Sequence, residues 1–268
     1  PLILLILFNY KTKFILRISG LPKLNFIRKF LWKLAARKLY CITCPTQATL
    51  DNIKKLDIVE KDKLKLLRDP IIEISIYKKN KIKSKADQIK EENFFFAAGR
   101  LTKQKNFMFL CECFKEVLKK YPNEKLIIAG EGEDQKKIYN FIKLNNLKKN
   151  IFLIGFVKDP KPYFFKSKGF ILTSLWEDPG FVLIESGALR TIVLSSDNLN
   201  GQNEIIKDNI NGILFKKNDK DDFLKKFEYL YNLKKKESSA ILINNFKVIK
   251  NYTLFNHYKI LKGILEIN

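Results

Sequence analysis

Two glutamates with seven residues between them, Glu177 and Glu185, stand in the stretch Ser174-Leu175-Trp176-Glu177-Asp178-Pro179-Gly180-Phe181-Val182-Leu183-Ile184-Glu185. Pro179 and Gly180 mark a turn that leads into a helix, which puts Glu177 in a loop and Glu185 inside the helix. The two carboxylates can then approach one ligand from different elements. Ionised carboxylates accept several hydrogen bonds and suit sugar or ribose hydroxyls, and N–H groups at Gly180, Phe181 and Val182 can hold a phosphate between them. The plainer reading is a charged loop followed by a helix-surface glutamate.

Cations complementary to such a phosphate follow an apolar run that ends at Ala98, in Gly99-Arg100-Leu101-Thr102-Lys103-Gln104-Lys105-Asn106. Arg100 can fork two phosphate oxygens while Lys105 supplies a compact charge. Only six of the 51 basic residues are arginine, so Arg100 carries more information than Lys105. A solvated charge run is the competing reading.

Three further segments resemble strand ends. Ala129-Gly130-Glu131-Gly132 allows a sharp turn or a close backbone approach, with an ordinary turn as its equal. Gly155-Phe156-Val157 offers an apolar surface to a nucleobase, with core packing the equal competitor for Phe156. Gly201, Asn203 and Glu204 either line the same edge or cap the next element.

An alternation of β-rich runs and helical patterns must position these residues, and it predicts βαβ units around a parallel sheet. Strands are predicted at 13–19, 40–44, 63–67, 93–98, 125–129, 151–154, 169–173, 192–195 and 212–215. Helices are predicted at 24–39, 46–56, 104–121, 133–144, 160–166 and 180–189, and helices fill residue 219 onward. In an open parallel sheet ligands bind beyond the carboxyl ends of the strands, where all the residues named above fall.

With 268 residues, 46% of them hydrophobic, the chain can bury a core in one full α/β domain and part of another. The sequence opens on Pro1 and its single methionine is Met108, so residue 1 is expected to lie inside a longer polypeptide. The apolar run Leu2–Phe8 falls far short of the roughly 20 residues of a membrane span, and reads as part of a buried element. The formal charge of +23 invites a nucleic-acid partner, yet the lysine excess and the absence of aromatic-basic stacking motifs argue against one. Cys41 and Cys44 form a lone C-x-x-C, and Cys111 and Cys113 a second close pair, but the only histidine is His257, which reads as a surface residue. No metal site is expected, and the thiols suit a reducing cytoplasm.

The set G-R-L-x-x-Q-K-N, A-G-E-G, G-F-V, E-x7-E, N-G-Q-N-E-I-I and N-G-I-L-F, in that order, resembles the large family-4 glycosyltransferases of two-Rossmann-domain (GT-B) architecture. R-I-S-G-L-P-K-L-N and C-P-T, within residues 14 to 56, look like the end of the N-terminal domain of bacterial members. The resemblance implies an α/β fold with the donor-binding domain complete and only the end of the N-terminal domain present. It divides the chain into 1–76, the end of an acceptor-side Rossmann-like domain; 77–92, a linker; 93–232, the nucleotide-sugar-binding domain; and 233–268, helices returning toward the first domain.

For function, the resemblance implies transfer of a sugar, with retention, from a nucleotide-diphosphate sugar to a glycan or lipid-linked acceptor, as in cell-surface polysaccharide or lipopolysaccharide synthesis, without a cofactor or metal. Arg100 and Lys105 would bind the diphosphate, Glu177 the donor sugar and Glu185 the ribose. Gly180, Phe181 and Val182 would add backbone contacts, and Gly99, Gly130, Phe156 and Val157 would complete the donor pocket. The catalytic trio would be Arg100, Lys105 and Glu177. Two departures stand out: Ser186-Gly187-Ala188-Leu189-Arg190-Thr191 replaces the family's usual A-x-A-x-G-x-P, and the N-terminal phosphate loop and a frequently used histidine have no counterpart. A basic amphipathic helix at 24–39, with Lys29, Lys33, Arg37 and Lys38, suggests peripheral contact with an anionic membrane at its inner face. A non-catalytic nucleotide-sugar-binding fragment and a nucleotide-sugar 2-epimerase remain open as alternatives, and the isolated fragment is expected to be inactive.

Overall fold

The computed structural model describes residues 11–22, 24–73, 93–177, 180–198 and 201–266. The run 2–8, the linker expected at 77–92, and Asp178 with Pro179 lie outside the described residues.

The first unit is a parallel three-stranded sheet, β1 (Ile15–Arg17), β2 (Cys41–Cys44) and β3 (Leu64–Leu66), in the order β1-β2-β3. The crossover helices are α1 (Phe26–Lys38) and α2 (Gln47–Leu56). Both begin at polar caps: the Arg28 N–H donates to Asn25 Oδ1 (2.8 Å) and the Thr49 N–H to Thr46 Oγ1 (3.1 Å). Lys54 and Lys55 in the last turn of α2 complement the negative end of the helix dipole, and Asp57 ends the helix in the left-handed region at φ 50°.

The second unit holds β4 (Phe94–Ala98), α3 (Phe107–Lys120), β5 (Leu126–Ala129), α4 (Gln135–Leu144), β6 (Ile151–Leu153), α5 (Lys161–Lys166), β7 (Ser167–Leu172), α6 (Phe181–Ala188), β8 (Val193–Asp197), α7 (Gln202–Ile205) and β9 (Ile213–Lys216). Its six strands run in the order β6-β5-β4-β7-β8-β9 with every pair parallel. The chain winds outward from β4 in one direction and from β7 in the other. The gap beyond the carboxyl ends of these two central strands is the crevice where such sheets take ligands.

Side-chain alternation in β4 shows why the sheet is buried on both faces. Phe95 and Ala97 join a core with Phe114 and Phe227, while Phe94 and Phe96 point the other way, toward Tyr163, Phe164 and Phe170. Phe96 stacks on Tyr163 at 5.3 Å between ring centroids, and Phe95 meets Phe227 at 4.6 Å. A strand clothed on both sides reads as a continuous apolar run, as Phe94–Ala98 does.

Helices α8 (Lys220–Tyr231), α9 (Lys235–Ile249) and α10 (Leu254–Leu265) complete the described chain. Helix α10 lies against the first unit: Tyr40 Oη donates to the Ile264 carbonyl (3.0 Å), and the His257 ring nitrogen meets the Arg68 carbonyl at 2.7 Å. His257 is therefore half-buried and bonded, more than the plain surface residue the sequence suggests.

Element starts differ from the sequence expectation where backbone geometry intervenes. The helix expected from Gln104 begins at Phe107, because Asn106 takes φ 54° and its N–H is used in a turn to the Thr102 carbonyl (3.2 Å). Asparagine tolerates that conformation well. The short helix α7 was not anticipated at all. Among the described residues no helix is long and apolar enough to cross a membrane.

Candidate functional site

The loops leaving β4 and β7 are tied together before any side-chain chemistry is considered. The Leu175 N–H donates to the Gln104 carbonyl (2.8 Å), and Gln104 Nε2 returns a bond to the Trp176 carbonyl (2.9 Å). Thr173 Oγ1 donates toward the carbonyls of Lys105 and Asn106, each at 3.1 Å. These bonds bring Lys105 and Glu177, 72 positions apart in sequence, into an ion pair at 2.5 Å. The two side chains are only 13% and 7% exposed. Two charges held in so little water polarise one another strongly, and losing either partner leaves the other stranded.

Glycines shape the same corner. Gly180 takes φ 89°, a left-handed conformation, and lies against the Glu177 side chain: a Cβ there would sit 3.3 Å from the Glu177 Cβ. A Cβ on Gly130 would come within 1.9 Å of the Gly99 carbonyl oxygen, so the turns after β4 and β5 touch backbone to backbone. The A-G-E-G run thus does more than turn. Its Glu131 carboxylate accepts from the Phe156 N–H (3.3 Å), joining the β5 and β6 exits.

Glu185 lies in α6, behind this pair. Burial pushes its carboxyl above the usual glutamate range, and the Lys105 charge pulls it part of the way back. Lys105 therefore acts on both carboxylates singled out in the sequence. Helix α6 starts at Gly180 with no side-chain cap on its N–H groups, which leaves its positive end facing the same corner.

Three cavities open along this edge. One of about 310 Å³, mostly apolar, is lined by Gly99, Arg100, Gly130, Glu131, Phe156 and Val157, with Pro160 beside them. A second of about 220 Å³ holds Glu185, with Lys158, Asp159, Lys161 and Phe164 around it. The third, about 380 Å³, lies between the two units and is lined by Ser19, Gly20, Leu21, Thr49, Asn52, Gln104, Trp176 and Glu177. Glu177 faces this interdomain cleft, whereas Arg100 sits exposed at the lip of the first cavity. Phe156 is 70% exposed and Phe181 42%, so neither is core. Val182 is half-buried against the core behind α6.

The weighting of the two cations changes with these positions. Composition favoured Arg100, but Lys105 has the buried partner. Glu204 turns out to be a brace: its carboxylate accepts from the Gln47 N–H (2.7 Å) and from Arg68 Nη2 (3.3 Å), both in the first unit. Gln202, unassigned from sequence, is fully buried; its Nε2 donates to Ser196 Oγ (2.9 Å), which itself donates to the Ser174 carbonyl (2.6 Å). That chain props the loop carrying Glu177. Trp176, 50% exposed in the cleft, was also passed over. One of only two tryptophans, directly before a candidate carboxylate, was the available signal. Cys41, Cys44, Cys111 and Cys113 are buried and not joined in disulfides, and among the described residues no cluster of His, Cys, Asp and Glu is placed to hold a metal.

The family model for "Glycosyl transferases group 1" matches residues 78–247. An uncharacterised glycosyltransferase of Methanocaldococcus jannaschii is 36% identical over 165 residues, covering 61% of this chain and 38% of that protein. The UDP-Gal:alpha-D-GlcNAc-diphosphoundecaprenol alpha-1,3-galactosyltransferase of Escherichia coli is 29% identical over 181 residues, covering 64% of this chain and 46% of its own length. The chain thus spans less than half of either relative. Among solved structures, Staphylococcus aureus TarM, crystallised as a mutant with fondaparinux, alpha-GlcNAc-glycerol and UDP, superposes with a TM-score of 0.76 at 21% identity, over 94% of this chain and 50% of TarM. That likeness carries the GT-B fold.

Proposed function

Because this chain belongs to the glycosyl transferases group 1 family, we propose that it forms the donor-holding half of an enzyme that moves a sugar, with retention, from a nucleotide-diphosphate sugar to a glycan or lipid-linked acceptor. The observation that carries this reading is the Lys105–Glu177 pair, clamped across the two central strand ends with Glu185 behind it.

The base rests in the apolar cavity against Gly99, Gly130, Phe156 and Val157, and the ribose hydroxyls reach Glu185. The diphosphate lies between Arg100, Lys105 and the start of α6 at Gly180, Phe181 and Val182. Glu177 then holds hydroxyls of the donor sugar at the border of the interdomain cleft, where an acceptor enters past Trp176. When the bond from the anomeric carbon to the diphosphate oxygen breaks, its electron pair leaves with the diphosphate, the acceptor hydroxyl oxygen bonds to the anomeric carbon on the same face, and the hydroxyl proton passes to the departing diphosphate. Arg100, Lys105 and the helix N-terminus stabilise that growing charge without a metal.

The Escherichia coli relative is named for a UDP-sugar donor and a lipid-diphosphate acceptor, and the same classes are proposed here, in cell-surface polysaccharide synthesis. The four cysteines, none in a disulfide, suit the reducing cytoplasm. Titration of the chain with a panel of nucleotide-diphosphate sugars should give saturable binding for one of them, and the full-length enzyme should consume that donor when a lipid-linked acceptor is supplied. Binding to none would overturn the reading. Epimerised donor in place of transfer would move it to the epimerase class.

A further inference from the structure

The cavity of about 380 Å³ between the two units has a lining at odds with the rest of the molecule. The chain carries 51 lysines and arginines, yet none stands among the described residues around this cavity. Its one acid, Glu177, is already neutralised by Lys105 at 2.5 Å. A phosphate or carboxylate that left water here would meet no cation on these walls, and an unpaired buried charge is heavily penalised. The ligand group that suits the space is uncharged, and the volume is that of a small-molecule pocket.

Both parallel sheets contribute their carboxyl ends to the walls. Ser19 and Gly20 follow β1, with Gly20 turning at φ 81°, and Thr49 and Asn52 share one face of α2, just beyond β2. The second unit supplies Trp176, whose backbone is pinned on both sides. Gln104 Nε2 donates to the Trp176 carbonyl (2.9 Å), the Leu175 N–H donates to the Gln104 carbonyl (2.8 Å), and Asn198 Nδ2 donates to the Leu175 carbonyl. Single exposed apolar residues are ordinary, but this one is fixed by its neighbours with its side chain half-exposed at a cavity. The other tryptophan, Trp32, packs on the small core. An indole on so constrained a backbone is preorganised to receive an apolar surface. On the first unit's wall, neither Asn52 nor Ser19 commits its side chain to a partner among the described residues, which leaves donors and acceptors for hydroxyls. An acyl chain would use the indole and leave these polar groups unpaired. A pyranose satisfies both walls, since its C–H face is apolar and its hydroxyls project from the ring edge.

We propose that Trp176 is a stacking platform for a pyranose ring at the reacting end of the acceptor, with Asn52 and Ser19 bonding its hydroxyls and its nucleophilic hydroxyl beside Glu177. This inference rests on the proposed function and narrows it: the acceptor already ends in a sugar and is not a bare lipid phosphate. An earlier glycosyl transfer must then supply that sugar.

Saturation-transfer NMR of the protein with methyl pyranosides of differing hydroxyl configuration, and with methyl phosphate as competitor, tests the platform without turnover. At least one pyranoside should receive saturation at its ring C–H protons, and methyl phosphate should not displace it. Trp176→Ala should weaken that binding about tenfold, and Trp176→Phe should recover part of it. Tyr258→Ala, which removes an exposed ring on α10, should change nothing. Asn52→Ala should weaken binding by a smaller factor. Nucleotide-sugar affinity and melting temperature should hold in Trp176→Ala; an equal loss of nucleotide-sugar affinity would place Trp176 in the donor site and overturn the proposal. So would displacement by methyl phosphate, or pyranoside binding indifferent to Trp176→Ala. Donor binding without any pyranoside binding would sink this inference alone, whereas absence of donor binding to the parent protein would sink the proposed function and this inference with it.

Discussion

The two units are held together by different means. The six-stranded sheet has an extensive core on each face, whereas the three-stranded sheet gathers seven buried residues into a single cluster. Polar ties make up for that small core: Arg17 grips Asp69 through two bonds, and Glu204 reaches across to Gln47 and Arg68. Backbone bonds from Ile71 and Ile72 to the Tyr252 carbonyl (2.9 and 3.0 Å) add to them. The proposed donor site is therefore built on the unit with the deep cores, and the cleft's other wall on the unit held by ties. The two should fail separately.

The largest effect expected comes from Phe96→Ala, which removes a ring stacked at the centre of one deep core and should cost about 3–5 kcal/mol. Ile42→Ala, in the small core, should cost about 2–4 kcal/mol and leave nucleotide binding intact. Denaturant unfolding alongside nucleotide titration checks both, and loss of nucleotide binding in a folded Ile42 variant would break the comparison. Lys105→Met comes next, stranding the Glu177 carboxylate at a cost of roughly 3 kcal/mol or more. Adding Glu177→Gln should restore much of that stability but not donor affinity. If stability does not recover in the double variant, the pair is not a stability element.

Arg100→Ala should weaken donor binding by about 1.5–3 kcal/mol while leaving the melting temperature unchanged, since this side chain is exposed. Unchanged affinity would remove Arg100 from the diphosphate site. The smallest effect belongs to Glu185→Gln. The folded-state pKa of Glu185 is raised by burial, so ionising it costs stability as pH rises from the unfolded carboxyl value through the folded one. At neutral pH the glutamine variant should melt higher than the parent, with weaker donor binding. That advantage should vanish in acid, where both side chains are neutral. A lower melting temperature at pH 7 would contradict the buried-carboxyl assignment.

Much of the sheet was legible because a strand buried on both faces must be apolar along its length, as Phe94–Ala97 is. Strand-end residues were legible for a related reason, since parallel sheets present their carboxyl-end loops on one side. What sequence could not convey was partnership over distance. Glu204 finds Gln47 across 157 positions, and nothing local announces it. Nor does composition reveal which of many lysines will be buried; the motif singles out Lys105, but its burial follows from the fold that closes Thr173 and Gln104 around it. The late start of α3 was hidden for the opposite reason, a purely local turn at Asn106 inside a good helical pattern.

The Lys105–Glu177 pair also bears on how a protein of charge +23 discriminates among anions. Inorganic phosphate and polyanions collect on exposed lysines, and salt strips them away again. Inside the site the lysine is already neutralised and shielded, so a stray anion must displace a carboxylate at 2.5 Å to gain it. Only a ligand that also fills the apolar cavity and engages Glu185 brings enough additional contacts to make that exchange. On the proposed function the pair would work as a rejection filter, and raised ionic strength should clear the surface of bound anions well before it loosens the donor.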